Sequence, residues 1–311
     1  MNSESPYWIA LAHLPRWRTE RVNRLLVEIL HQRKMQLQEF FALPPEAWQN
    51  DFSLTLKEVE AMNEAKAQLP NFAFLADELL EQGFQMIPIN AKEYSGALKK
   101  NLQMKHAPPL LYVKGNIKQL HEPTVAVVGS REASEKALQF ADAIAKKCAA
   151  QFRVVVSGFA KGVDKQALDS SVKYGGHSII VLPQGILTFG SGIKKYYSQI
   201  VEGDVLVLST FFPKAGWDAG LAMARNVYIY GLAEEIYVAE SNDKGGTWTG
   251  VMDGLKKGRT IYVRQPESDE KNANQLLIAK GAIAVDAEGN PLQATTTPPP
   301  STAQDQMALF Q

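Results

Sequence analysis

Two segments of this chain share one design. Thr124-Val-Ala-Val-Val-Gly-Ser-Arg131 and Arg153-Val-Val-Val-Ser-Gly-Phe-Ala-Lys-Gly-Val-Asp164 each run from apolar, β-branched residues into a Gly/Ser turn that carries a cation. A parallel strand buried on both faces reads as a continuous Val/Ile run, and small residues after it let the backbone approach a ligand closely. A helix that follows offers unpaired N–H groups and the positive end of its dipole to an anion. The expected order is therefore strand, phosphate-sized loop, helix, twice over, with Arg131 and Lys161 as full charges beside the cradle. One such turn is also what an ordinary α/β connection looks like. Two, each with a cation, point to an anion-binding edge.

The same rhythm continues downstream. Strands are expected at residues 125–128, 154–156, 179–182, 205–208, 236–238 and 260–263, with helices between them. That alternation predicts an α/β fold, a doubly wound and mostly parallel Rossmann-like sheet. Ligands in such sheets bind outside the carboxyl ends of the strands, where topology gathers Gly129, Gly158, Gly185 and Gly245. Upstream, residues 20–32 place Val22, Leu25, Leu26, Ile29 and Leu30 on one side, and residues 72–82 repeat the pattern, so a small helical domain precedes the sheet. We divide the chain into 1–105 (helical domain and connector), 106–290 (Rossmann-like domain) and 291–311. The last begins a Thr/Pro-rich stretch, Thr295-Thr-Thr-Pro-Pro-Pro-Ser-Thr302, which has no apolar face and reads as an extended linker.

The formal net charge of the 311 residues is +0, so affinity for nucleic acid has to come from a local basic patch rather than a global field. The single cysteine, Cys148, cannot form an internal disulfide; it falls in register with Ala137, Ala141, Ile144 and Ala145 and reads as helix core. No Cys/His spacing suggests a metal, and no cofactor is expected. The first residues lack a basic and apolar leader and no apolar run approaches transmembrane length, so the expectation is a cytoplasmic protein without a membrane partner.

Several motifs together resemble the DNA-processing protein A (DprA, also called Smf) family. They are Val-Val-Gly-Ser-Arg131, Ser157-Gly-Phe-Ala-Lys-Gly-Val-Asp164 and Gly175-Gly-His-Ser-Ile-Ile-Val-Leu-Pro-Gln-Gly185, followed by Ala224-Arg-Asn226, the loop Asp243-Lys-Gly-Gly-Thr-Trp-Thr249 and Leu276-Leu-Ile-Ala-Lys-Gly-Ala282. Pro108-Pro-Leu-Leu-Tyr-Val-Lys-Gly115 matches the segment that leads into the family's nucleotide-binding-like fold. The resemblance covers about residues 10 to 285. There are departures: Leu168 stands where the family has His, Ala222-Met-Ala precedes the Arg-Asn pair in place of Phe-Pro-x, and the family's usual C-terminal winged helix is not recognisable. The helical region resembles a SAM-like or helix-hairpin-helix unit, but its hairpin at Leu14-Pro-Arg-Trp-Arg18 has no Gly. It is read as a packing or protein-contact domain.

The resemblance implies a homodimer that binds single-stranded DNA without catalysis and helps load a RecA-type recombinase in recombination or DNA uptake. Single-strand binding needs phosphate-contacting cations and flat surfaces for bases. The candidate cations are Arg131, Lys161, Lys194, Lys195, Arg225 and Lys244. Gly129, Ser130, Ser157, Gly158, Gly185, Gly245, Gly246 and Thr247 would shape the phosphate loops. Lys194 and Lys195 also read as a solvated helix face, and Trp248 either stacks on a base or packs on the sheet. Gln306, Met307, Leu309 and Phe310 resemble the peptide with which replication and repair proteins dock on the DNA sliding clamp.

Two other readings keep the fold. One is a DprA-like regulator or antitoxin of an anti-phage defence module, sensing DNA or a nucleotide and restraining a toxin or effector encoded nearby. The other is a nucleotide hydrolase of the phosphoribohydrolase type, whose Gly-rich phosphate loop Lys244-Gly-Gly-Thr-Trp-Thr249 resembles. Those enzymes place a Glu after that loop, where this chain has Gly250, Val251 and Met252. The acids Asp164, Asp243 and Asp253 and the lone His177 supply no evident nucleophile and base, so no catalytic residue is assigned, and Asp164 is expected to orient its loop and helix.

Overall fold

In the computed structural model, residues 4–292 are described. The Thr/Pro-rich linker and the peptide from Gln306 to Phe310 lie outside them. The strands are β1 (Gln85–Pro88), β2 (Leu110–Lys114), β3 (Thr124–Val128), β4 (Val154–Ser157), β5 (Ser178–Val181), β6 (Val205–Ser209), β7 (Glu235–Val238), β8 (Ile261–Arg264) and β9 (Ile283–Val285). Among the described residues they form one sheet in the order β1-β2-β6-β5-β4-β3-β7-β8-β9. From β3 onward every pairing between these strands is parallel, while β2 pairs antiparallel with both β1 and β6. The six expected strands all form, each within one residue at either end.

The Val-rich runs are buried throughout, as strands covered on both faces must be. On one face lie α7 (Gly96–His106), α12 (Ala219–Leu232) and α13 (Gly246–Lys256), packed on Ala126, Val128, Val156, Leu206 and Ile236. Trp248 of α13 joins this cluster as a half-buried member, so it packs toward the sheet. The opposite face carries α8 (Glu135–Ala150) and α9 (Val163–Lys173) over Val125, Val127 and Val155. Helix α8 starts where Ser134 Oγ accepts from the Ala137 N–H, and it buries Ala137, Phe140, Ala141, Ile144, Ala145 and Cys148. Burial pushes the Cys148 thiol up to about 12, so it is an inert core residue.

The N-terminal helices cover the remainder of that second face. They are α1 (Ser5–Ala12), α2 (Thr19–Val27), α3 (Leu37–Ala42), α4 (Pro45–Asp51), α5 (Leu56–Ala67) and α6 (Leu69–Glu81); a π-helical turn, Glu28–Gln32, extends α2. Their core residues Trp8, Leu11, Leu25 and Phe40 belong to one apolar cluster with Tyr112, Ile180, Val205 and Val207 of the sheet. The helical unit is thus a layer on the sheet. β1 already belongs to the sheet, well before residue 105, and the expected boundary falls inside α7.

Candidate nucleic-acid interface

β3 has β4 on one side and β7 on the other, so strand order reverses between β3 and β7. A crevice opens at the carboxyl end of such a switch point. Here it is a cavity of about 610 Å³, lined by Gly129, Ser130 and Arg131 after β3, Glu240 and Ser241 after β7, and Lys244 to Thr247 at the start of α13. Arg225, Asn226 and Tyr230 of α12 close one side, and Lys271 stands on the rim. A second cleft of about 500 Å³ lies beside it, lined by Lys161, Gly162, Lys165, Gln166 and Asp169; Arg131 and Glu132 form a wall common to both. Arg131, Lys161, Lys165, Lys244 and Lys271 are all exposed. None of these five has a carboxylate within ion-pair distance among the described residues.

The glycines act differently from expectation. Gly162 has φ +86°, and a Cβ there would lie 2.3 Å from the Ser130 carbonyl oxygen. The Val163 N–H donates to that same carbonyl at 3.2 Å. Gly158 is compact for another reason, since a Cβ there would sit 2.0 Å from Arg225 Nη1. The two loops after β3 and β4 are therefore locked against each other and against α12, and their smallness serves that contact. Between these glycines, Phe159 takes φ 65°, a backbone conformation costly for an aromatic residue. Its ring meets Phe189 edge-on at 4.9 Å and Tyr196 at 5.8 Å.

Arg225, expected as an outward DNA contact, is an internal brace. It is 3% exposed. Its Nη1 donates to the carbonyls of Gly158 and, at 2.7 Å, Val181, and Nε donates to Asn226 Oδ1 at 3.2 Å. Nη2 stands 4.0 Å from Asp164 Oδ2. Burial raises the Asp164 carboxyl against the pull of Arg225 and of hydrogen bonds from the Ala160 and Gly158 backbone. Burial also lowers Arg225, with Arg131 adding repulsion. Both partners move toward neutrality, because at 4.0 Å the pairing does not outweigh desolvation.

Other expected residues lie elsewhere. Ser157 is buried and donates from Oγ to the Val127 carbonyl at 2.9 Å, tying β4 to β3. Gly185 turns into the loop at Phe212–Pro213, where a Cβ would lie 2.2 Å from a carbonyl oxygen. It lines neither cleft. Lys194 and Lys195 end the short helix α10 (Gly190–Lys195). Lys195 pairs with Asp169 at 3.3 Å on the far wall of the second cleft, and Lys194 is exposed outside both. Gly245, Gly246 and Thr247 do line the cavity; Gly245 has φ +92° and is the N-cap of α13 without a side-chain cap. Thr247 Oγ1 donates to the Gly129 carbonyl at 3.1 Å. Lys165 and Lys271 were missed. Lys165 carried a signal, one turn after Lys161; Lys271, in the loop between β8 and the short helix Asn274–Ala279, carried none.

The candidate acids do not converge. Asp253 pairs with Lys257 at 2.7 Å. His177 precedes β5, at the opposite edge of the sheet, and lies 3.6 Å from Asp204.

Comparison with known proteins adds identity to this geometry. Residues 85–295 match the family model described as DNA recombination-mediator protein A. The chain is 33% identical over 156 residues to DNA processing protein DprA of Streptococcus pneumoniae, an alignment covering 50% of this chain and 55% of that relative. It is 24% identical to DprA of Bacillus subtilis, over 78% of this chain and 81% of the relative. The X-ray structure of DprA from S. pneumoniae superposes with a TM-score of 0.71 at 26% identity, covering 90% of this chain and 93% of that one. A structure of DNA processing protein A from Helicobacter pylori, which concerns that protein's single-stranded DNA binding mode, shares the fold with a TM-score of 0.55 at 23% identity over 65% of this chain and 90% of that one.

Proposed function

The chain belongs to the DNA recombination-mediator protein A family, and from that premise we propose that it binds single-stranded DNA along its two joined clefts, without turnover. The observation that carries this reading is the run of exposed, unpaired cations around a shared wall. Lys244 and Lys271 border the inner cavity, Arg131 divides it from the outer cleft, and Lys161 and Lys165 line the outer cleft. Such a track neutralises successive phosphates of a strand, which a neutral chain achieves only by local clustering. Lys194 stands exposed beyond the two clefts, while Lys195 is held by Asp169.

Bound strand would be handed to a recombinase, the role in which the family is described as a mediator. A homodimer would present two such tracks, and the Gln306–Phe310 peptide would recruit a sliding clamp. Fluorescence anisotropy of labelled single-stranded and duplex oligonucleotides tests the central step. Preference for the single strand by tenfold or more supports the reading; equal affinity for both, or none for either, overturns it.

A further inference from the structure

We propose that the inner cavity is a receptor for a nucleoside 5′-monophosphate, its phosphate between Arg225, Lys244 and Lys271 and its base in the apolar recess behind Asn226. The inference goes beyond binding along a strand, because it needs a terminal phosphate monoester and no neighbouring nucleotides.

Three observations support it. First, Arg225 is nine-tenths buried, yet its Nη2 makes no hydrogen bond among the described residues, while Nη1 and Nε are fully engaged. Nη2 is also not sealed off in the interior, since the fully occluded, unpartnered side-chain atoms are others. Nη2 meets the Asp164 carboxylate only at 4.0 Å, beyond hydrogen-bond distance, so a guanidinium otherwise held by three hydrogen bonds keeps a donor for an anionic oxygen. The Arg131 charge bears on Arg225 from the same cavity, and the Asp164 carboxylate offsets it in part.

Second, the first turn of α13 opens on the same space. Its N-cap is Gly245, no side chain caps it, and a Cβ on Gly245 would meet nothing within 4 Å. Its free N–H groups and dipole add to Lys244 and Lys271. Two of the three carboxylates lining the cavity are engaged, while Glu132 is exposed on the wall shared with the outer cleft. Glu240 accepts from the Ser134 backbone at 3.2 Å and from its hydroxyl, and Asp164 faces Arg225.

Third, a recess of about 250 Å³ adjoins the cavity and shares Met223, Asn226, Tyr230 and Gly246 with it. Its walls are mostly apolar, from Leu102, Met223 and Val227, with Arg259 and the Asp253–Lys257 pair also in the lining. Asn226 stands at the junction with Oδ1 occupied by Arg225 and Nδ2 without a partner among the described residues. A polar chamber joined to an apolar slot by one free amide donor matches a phosphate joined to a base.

Isothermal titration of the full chain with dAMP and with deoxyadenosine tests the phosphate. Expected is saturable dAMP binding, with deoxyadenosine at least tenfold weaker. Lys244→Glu with Lys271→Glu, both at exposed positions that spare the fold, should weaken dAMP at least tenfold. A 5′-phosphorylated and a 5′-hydroxyl dT20 then separate two sources of the ligand. Tenfold tighter binding of the phosphorylated strand identifies a strand end; equal affinities together with dAMP binding identify a free nucleotide. No heat with millimolar dAMP and equal affinities for the two oligonucleotides would overturn the inference. In that case retained binding of both oligonucleotides leaves the strand track standing, whereas dAMP binding with no oligonucleotide binding defeats the track alone.

Discussion

At the scale of single residues, the site depends on one arginine that is almost wholly buried. Arg225 ties the loop after β4 to the end of β5 and faces Asp164, so the exposed cations are carried on loops that cannot drift apart. Gly158 makes this possible by leaving room for the guanidinium. Gly158→Ala should therefore destabilise the protein by about 2–4 kcal/mol, from overpacking and strained charge-assisted hydrogen bonds. Urea unfolding would read this as a lower midpoint with an unchanged slope. Gly190→Ala is the control, because a Cβ there meets nothing within 4 Å, and it should leave the midpoint within about 0.5 kcal/mol of wild type. Equal midpoints for Gly158→Ala and wild type would remove Arg225 from its role as brace.

Between elements, the bond of α1 to the sheet has a pH dependence of its own. His13, at the end of α1, lies with Nε2 2.9 Å from the Tyr112 hydroxyl of β2. Burial lowers its pKa from 6.5 to about 4, so the folded protein holds it neutral. The unfolded chain binds the proton more readily between those values. Stability from this group is then complete above pH 6.5 and is lost as pH falls toward 4, by roughly 2–4 kcal/mol. His13→Gln should flatten the melting temperature against pH in that window, and superimposable curves would contradict the assignment. His13 itself gave no warning of this in the sequence, because which helix meets which strand is a long-range fact. Local patterns were more informative. The six Val/Ile runs located their strands to within a residue, since a strand buried on both faces has to be apolar throughout. β1, β2 and β9 escaped notice: β1 and β9 are short, partly exposed edge strands, and β2, although buried, pairs antiparallel outside the alternation of strand and helix. The motif glycines pointed to the right edge of the sheet for an incomplete reason. Gly129, Gly245 and Gly246 line the cavity, whereas Gly158 and Gly185 admit other parts of the protein.

Across the whole molecule, a sheet sandwiched between two helical layers leaves its carboxyl edge open, and the sequence's balanced charge is distributed unevenly there. Some lysines elsewhere are ion-paired, as Lys136 is with Glu267 at 2.7 Å and Lys214 with Glu78 at 2.7 Å. Those at the two clefts are left available for an outside anion. The three-dimensional convergence of Lys271 with Arg131 and Lys244 could not be read from spacing, because it is made by the order in which strands join the sheet. The central claim is that these cations bind the backbone of a single strand. It is tested most directly by the salt dependence of single-stranded DNA affinity, wild type against Arg131→Glu with Lys161→Glu. Loss of two phosphate contacts should weaken binding at least tenfold and reduce the slope of log K against log salt by about 1.4, at about 0.7 per contact. An unchanged affinity and slope would place the strand somewhere other than these clefts.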